Sequence, residues 1–186
     1  MSLTTVDART ALLVVDLQEG TVGLPTVHPA GEIVDRAAEL ATVFRSAELP
    51  VVLINVAGGA PGRNELPKSN KAPAPNWADL VPQLKAEAGD HRVTKRTWDA
   101  FPATDLHDYL QSQKVTQVVL AGIATSIGVE STARTAYALG YNVTLATDAI
   151  TDLDPAAHTN TVARVFPKLG ETGTTAQIID LIKSSR

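Results

Sequence analysis

The chain contains no cysteine. That excludes disulfides, thiolate metal sites and any reaction that depends on a thiol nucleophile. No apolar run approaches the about 20 residues that span a bilayer, so no membrane segment is expected. The first ten residues, MSLTTVDART, lack the charged and apolar regions of a secretory signal, and a cytoplasmic protein is the default expectation. Basic residues are not in excess: 16 Lys and Arg stand against 20 Asp and Glu, for a net charge of −4. Nucleic acid usually demands a basic face, so no nucleic-acid partner is expected. Heptads, repeats of roughly 20–50 residues and low-complexity runs are also missing.

What is there is a globular chain. Its 186 residues suffice for one domain with a full core, and 44% are apolar, close to a folded average. We read residues 1–186 as a single domain. Short apolar runs alternate with segments of helical period. Strands are expected at residues 11–16 (ALLVVD), 50–56, 92–95, 115–121 and 142–146. Helices are expected at 31–47, 77–85, 105–111, 126–139, 155–166 and 175–183, with Gly140 as a stop signal and Asp154 as a cap. Residues 58–75 are rich in Gly, Pro and polar side chains and read as a long loop. Repeated strand–helix units with nearly continuous apolar strands imply an α/β fold. The expected form is a three-layer, doubly wound, Rossmann-like domain with a mostly parallel sheet.

In such folds ligands sit at the carboxyl ends of strands. That directs attention to Asp16, Lys95 and the segment from Gly122 to Gly128. Asp16 ends the first strand, where a carboxylate can act as general acid or base, or cap the next turn. Lys95 ends a short strand beside aromatic residues; it pairs with a carboxylate there or is a solvated surface lysine. Residues 122–128 (GIATSIG) run from strand through tight turn to helix start, where backbone N–H groups suit an oxyanion. The plainer alternative is a βα turn capped by Thr125 or Ser126. Phe101 and Trp98 are apolar or stacking walls, or simply core. Arg63, in the loop, clamps a carboxylate or is solvated.

Residues 118–152 (VVLAGIATSIGVESTARTAYALGYNVTLATDAITD) closely resemble the signature of the isochorismatase-like hydrolase superfamily, which includes nicotinamidases and other cysteine amidohydrolases. The resemblance runs from about Thr10 to Leu181. It implies that Asp16 is the catalytic carboxylate and that Gln18, in VVDLQ, binds substrate or supports the site. It implies that Lys95, Asp99, Ala100 and Phe101 form the motif whose lysine neighbours the catalytic Asp. It also implies a cis peptide between Ile123 and Ala124, with the N–H groups of Ala124 and Gly128 facing the reacting atoms. Asp148 and Asp152 look like its structural segment. In the amidohydrolase branch a cysteine stands four residues after that Ala. Here the position is Gly128, which keeps the N–H and removes the nucleophile. Isochorismatases resemble this chain in having Gly there, although they tend to carry an Arg where this chain has Thr97.

Other chemistry has little support. Ser126 and Ser131 lack an adjacent base, since His28, His91, His107 and His158 have no motif spacing to either. The same histidines lack metal-ligand spacing, so no metal and no cofactor are expected. The expected function is a hydrolase working without a cysteine, with Asp16 as general acid or base beside Lys95. Its expected substrate is a small-molecule acid or vinyl ether. In that reading Lys95 also binds substrate carboxylate, and Trp98, Phe101, Ala124, Thr125 and Gln18 line the substrate. One alternative is a catalytically inactive member that binds small molecules; another is an amidohydrolase of nicotinamidase type. The resemblance also implies a homo-oligomer.

Overall fold

The computed structural model describes residues 3–65 and 72–185. Six parallel strands form one sheet in the order β3-β2-β1-β4-β5-β6. The strands are β1 (Thr10–Val15), β2 (Val51–Val56), β3 (His91–Lys95), β4 (Gln117–Ile123), β5 (Asn142–Thr151) and β6 (Glu171–Gly173). The helices are α1 (Glu19–Val22), α2 (Ala30–Ser46), α3 (Leu106–Ser112), α4 (Glu130–Ala138), α5 (Pro155–Asn160), α6 (Phe166–Leu169) and α7 (Thr175–Ser184). This is the expected doubly wound α/β arrangement. Among the described residues no helix is long and apolar enough to cross a membrane.

Strand periodicity explains the layers. In β1, Leu12 and Val14 face a core shared with α2 and α7, through Ile33, Leu40, Phe44, Ile178 and Ile182. Ala11, Leu13 and Val15 face the opposite core, shared with α3, α4 and the turn before α4 through Leu106, Leu110, Ala133 and Val129. Every residue of β1 is buried, as a central strand covered on both faces requires. Chain order reverses between β1 and β4, so their carboxyl ends form the crevice where such folds bind ligands.

Several expectations change in the structure. Residues 77–85 do not form a helix; only Pro82–Leu84 make a short 3-10 turn. The backbone there bonds outward instead: Val81 N donates to Leu17 O at 3.1 Å and Asn55 Nδ2 donates to Ala78 O at 2.7 Å. The helix expected from residue 126 opens with a π-helical turn, Thr125–Val129, before α4. The helix expected at 155–166 divides into α5, a second π-helical turn at Thr161–Val165, and α6. β5 runs on to Thr151, five residues beyond its expected end at residue 146, past a register shift against β4. Of the long loop expected at 58–75, residues 66–71 lie outside the described residues. The expected caps are present: Asp154 accepts from the N–H groups of Ala156 and Ala157, and Gly140 takes φ +89° after α4.

Candidate functional site

Two close approaches build the crevice. At the end of β1, Asp16 adopts φ +53°, a left-handed conformation that Asp tolerates better than most residues. Its N–H donates to Ile54 O at 2.8 Å, and its carbonyl accepts from the Thr21 hydroxyl. On β4, Gly122 takes φ +130°, and a Cβ there would stand 2.0 Å from Val15 O. Only glycine lets the two strand ends meet this closely. The peptide between Ile123 and Ala124 is cis.

Lys95 reaches from β3 to this point. Its Nζ lies 2.7 Å from Asp16 Oδ2, and both side chains are buried, at 1% and 8% exposure. Nζ also donates to Trp98 O at 2.8 Å and Thr97 O at 3.2 Å. An ammonium has three N–H donors, and these are three acceptors. Lys95 is therefore engaged by Asp16 and by the backbone after β3. The other carboxylate oxygen, Asp16 Oδ1, is buried without a hydrogen-bond partner. Burial pushes the Asp16 carboxyl up to about 6 from 3.8, against the lowering effect of the Lys95 charge and hydrogen bond.

Gly128 closes the third side. A Cβ at this position would stand 3.0 Å from Asp16 Oδ2, 3.1 Å from Val15 Cγ1 and 3.4 Å from Lys95 Nζ. The structure thus brings Asp16, Lys95 and Gly128 together, with the bare backbone of residue 128 against the ion pair. Ala124 adjoins them, and its carbonyl accepts from the N–H groups of Ile127 and Val129, both at 3.1 Å.

The remaining sequence candidates divide. Gln18 is fully buried and its amide is used within the protein. It accepts from Val56 N at 2.8 Å and donates to Val56 O and Trp77 O, each at 3.0 Å. These bonds suit the supporting role that the sequence offered beside substrate binding. Phe101 is likewise core rather than a site wall, 8% exposed in the α3–α4 layer and stacked near Tyr141. Trp98 holds Lys95 through its carbonyl, while its ring is 61% exposed. Asp99 pins this segment, accepting from Phe101 N at 3.0 Å and from the Thr135 hydroxyl at 2.5 Å. Thr125 is fully buried, its Oγ1 2.9 Å from His158 Nδ1. Asp148 accepts from Thr175 N, and Asp152 accepts from Ser126 N and Leu153 N, which suits the scaffold role expected of both. Arg63 is exposed.

Sequence spacing did not point to His158, 33 residues from Thr125, or to its neighbour His28. No local pattern links these positions; only the packing of α5 against the turn does. Among the described residues no group of three His, Asp or Glu side chains could hold a metal ion. A groove of about 310 Å³ lies past the end of β2, walled by Ala57, Gly58, Pro73, Pro75, Trp77 and Ala78. Ala57 N donates to Lys95 O at 2.9 Å, so this groove adjoins the end of β3. A cleft of about 410 Å³ lies at the opposite end of the strands, beside the starts of β4 and β5 at Gln117 and Asn142.

An isochorismatase domain model matches residues 10–177. An isochorismatase family protein of Bacillus subtilis, YwoC, is 37% identical over 182 residues, covering 94% of this chain and 95% of that protein. The solved structure of an isochorismatase family protein from Burkholderia thailandensis is similar with a TM-score of 0.93 at 38% identity, covering 98% of this chain and 100% of that one. The chain is also 29% identical over 177 residues to the ureidoacrylate amidohydrolase RutB of Variovorax paradoxus, covering 79% of this chain and 70% of that protein.

Proposed function

The chain belongs to the isochorismatase family, and from that premise we propose that it is a hydrolase that works without a cysteine nucleophile on a small-molecule acid or vinyl ether. One observation carries this reading. Asp16 Oδ1 is buried and unpartnered on a carboxyl group displaced to about 6, while Oδ2 is anchored to Lys95. A carboxyl group whose value lies near working pH is suited to give and take protons. The geometry favours Oδ1 as the oxygen that carries the proton.

For an enolpyruvyl ether the steps balance as follows. The Oδ1 proton passes to the terminal methylene carbon as the C=C electron pair forms the new C–H bond. The adjacent carbon becomes oxocarbenium-like. Water adds to it and returns a proton to Asp16. The resulting hemiketal breaks its bond to the alcohol oxygen as its hydroxyl proton passes to that oxygen, giving the alcohol and pyruvate. Lys95 acts on Asp16 rather than on substrate: its charge limits how far burial raises the carboxyl, and its bonds to Thr97 O and Trp98 O fix the group in place. The N–H groups of Ala124 and Gly128 would hold a substrate oxygen, and the groove beside Trp77 would take its apolar part.

The test is pyruvate release from isochorismate by wild type and by Asp16→Asn. Turnover that is lost in the variant supports acid catalysis by Asp16. Equal turnover by both proteins sinks it, and turnover by neither removes isochorismate and moves weight to a binding-only member.

Similarity to an amidohydrolase raises the amidase alternative, which Gly128 disfavours for want of a thiol. Gly128→Cys, assayed on ureido and nicotinamide-type amides, tests it: gain of amide hydrolysis would mean that the rest of a thiol site persists. We also propose assembly into a homo-oligomer. Exposed apolar side chains at Trp98, Leu24 and Leu153 support this, and light scattering of the purified protein checks it.

A further inference from the structure

Two histidines beside the site take no part in the chemistry above. His158, on α5, sets Nδ1 2.9 Å from the hydroxyl of Thr125, the fully buried first residue of the π-helical turn. The next N–H along the turn, that of Ser126, is held by Asp152 Oδ2 at 2.6 Å. The His28 ring meets the His158 ring edge-on, with centroids 4.9 Å apart and planes at 66°. His28 is itself anchored, its N–H donating to Thr151 Oγ1 at 2.9 Å. The turn is thus gripped at two successive residues, once by a carboxylate and once by an imidazole.

We propose that His158 is a positioning residue for residues 124–128: its neutral ring accepts the Thr125 hydroxyl proton at Nδ1 and holds the turn, and protonation turns Nδ1 into a donor, so that this bond must reverse or break. An imidazolium carries hydrogen on both nitrogens and can no longer accept. The Thr125 hydroxyl must then give up its donor bond in a fully buried place, where no water replaces it. One of the turn's two anchors is thus altered three residues from Gly128, which stands against Asp16. The proposal rests on the reading that this turn belongs to the reacting site.

The charged and titratable surroundings fit a ring kept neutral. Burial and the neighbouring His28 push His158 below the ordinary histidine range, against the pull of Asp152. Asp154 caps α5, with its carboxylate on the Ala156 and Ala157 N–H groups. Glu130, on α4, is occupied by Arg134 at 2.8 Å and the Thr161 hydroxyl at 2.7 Å.

The test is a heteronuclear NMR titration of wild type, His158→Asn, Asp16→Asn and Thr125→Val between about pH 5 and 8. The expected result is that the Ser126, Ile127 and Gly128 amide signals move with the His158 ring midpoint in wild type. That step persists in Asp16→Asn and disappears in His158→Asn. Thr125→Val raises the His158 midpoint, because only the neutral ring gains from accepting the hydroxyl. Amide signals that follow Asp16 instead, kept in His158→Asn and lost in Asp16→Asn, overturn the proposal. So does a His158 midpoint that falls or stays fixed in Thr125→Val. The signals need no substrate, so this result is independent of whether isochorismate is hydrolysed.

Discussion

Replacing Lys95 with methionine removes the ammonium while keeping most of the side chain's volume. In the native site the only donor to the Asp16 carboxyl group among the described residues is Lys95, on Oδ2, since Oδ1 has none. Burial raises the carboxyl and the lysine lowers it, so deleting the lysine leaves the raising influence alone. The Asp16 midpoint therefore climbs above its native value of about 6. Because the folded value exceeds the ordinary 3.8, the folded state binds this proton more tightly than the unfolded chain. Stability falls as pH rises from 3.8 to about 6 and stays lowered above that window. The displacement is worth roughly 3 kcal/mol. In Lys95→Met the falling window extends to higher pH. Between the native midpoint and the new one, the variant loses stability against wild type at about 1.4 kcal/mol per pH unit. Two such units would add roughly 3 kcal/mol, in keeping with the about 3–5 kcal/mol cost of stripping a buried ion of its partner. Urea denaturation of both proteins at about pH 5 and 8, with carboxyl NMR of Asp16, measures both quantities. The reasoning is refuted by an equal stability gap at the two pH values, or by an Asp16 midpoint that fails to rise.

Other outcomes follow from the same geometry. Asp16→Asn should lower kcat for the natural substrate by about 10²–10⁴-fold, the usual worth of a positioned acid, in a steady-state assay. Gly128→Ala should cost about 1–3 kcal/mol in thermal denaturation, because its Cβ stands 3.0 Å from Asp16 Oδ2 and 3.1 Å from Val15 Cγ1. Unchanged stability would mean that the ion pair yields freely. Gly122→Ala should be far worse, above about 3 kcal/mol, since its Cβ meets backbone at 2.0 Å and φ is +130°; soluble, native-like protein would contradict the close strand approach. Phe101→Ala should lose about 3–5 kcal/mol as a core residue, read by urea denaturation.

The sheet was legible because its central strands are continuous apolar runs bounded by polar residues, and strand ends pointed to Asp16, Lys95 and residues 122–128. Burial on both faces makes that pattern hard to mistake. β6 was missed, since Glu171–Gly173 is three residues with no usable period. The helix expected at 77–85 failed because Trp77 and its neighbours are captured by the ends of β1 and β2. For Gln18 and Phe101 the sequence left two roles open each, and the structure shows the Gln18 amide bonded to backbone and the Phe101 ring in the core. The engagement of Lys95 with two carbonyls could not be read from sequence either, because it depends on how residues 97 and 98 fold back. His158 was invisible for a similar reason: its partner is reached through tertiary packing alone.

The central claim is that Asp16 works as a protonated acid near neutrality without a thiol. The pH dependence of pyruvate release from isochorismate tests it most directly, with Asp16→Asn measured alongside. The account predicts kcat that falls as pH rises through about 6 in wild type and a kcat about 10²–10⁴-fold lower in the variant. A profile flat across that pH, or turnover undiminished in Asp16→Asn, would contradict it.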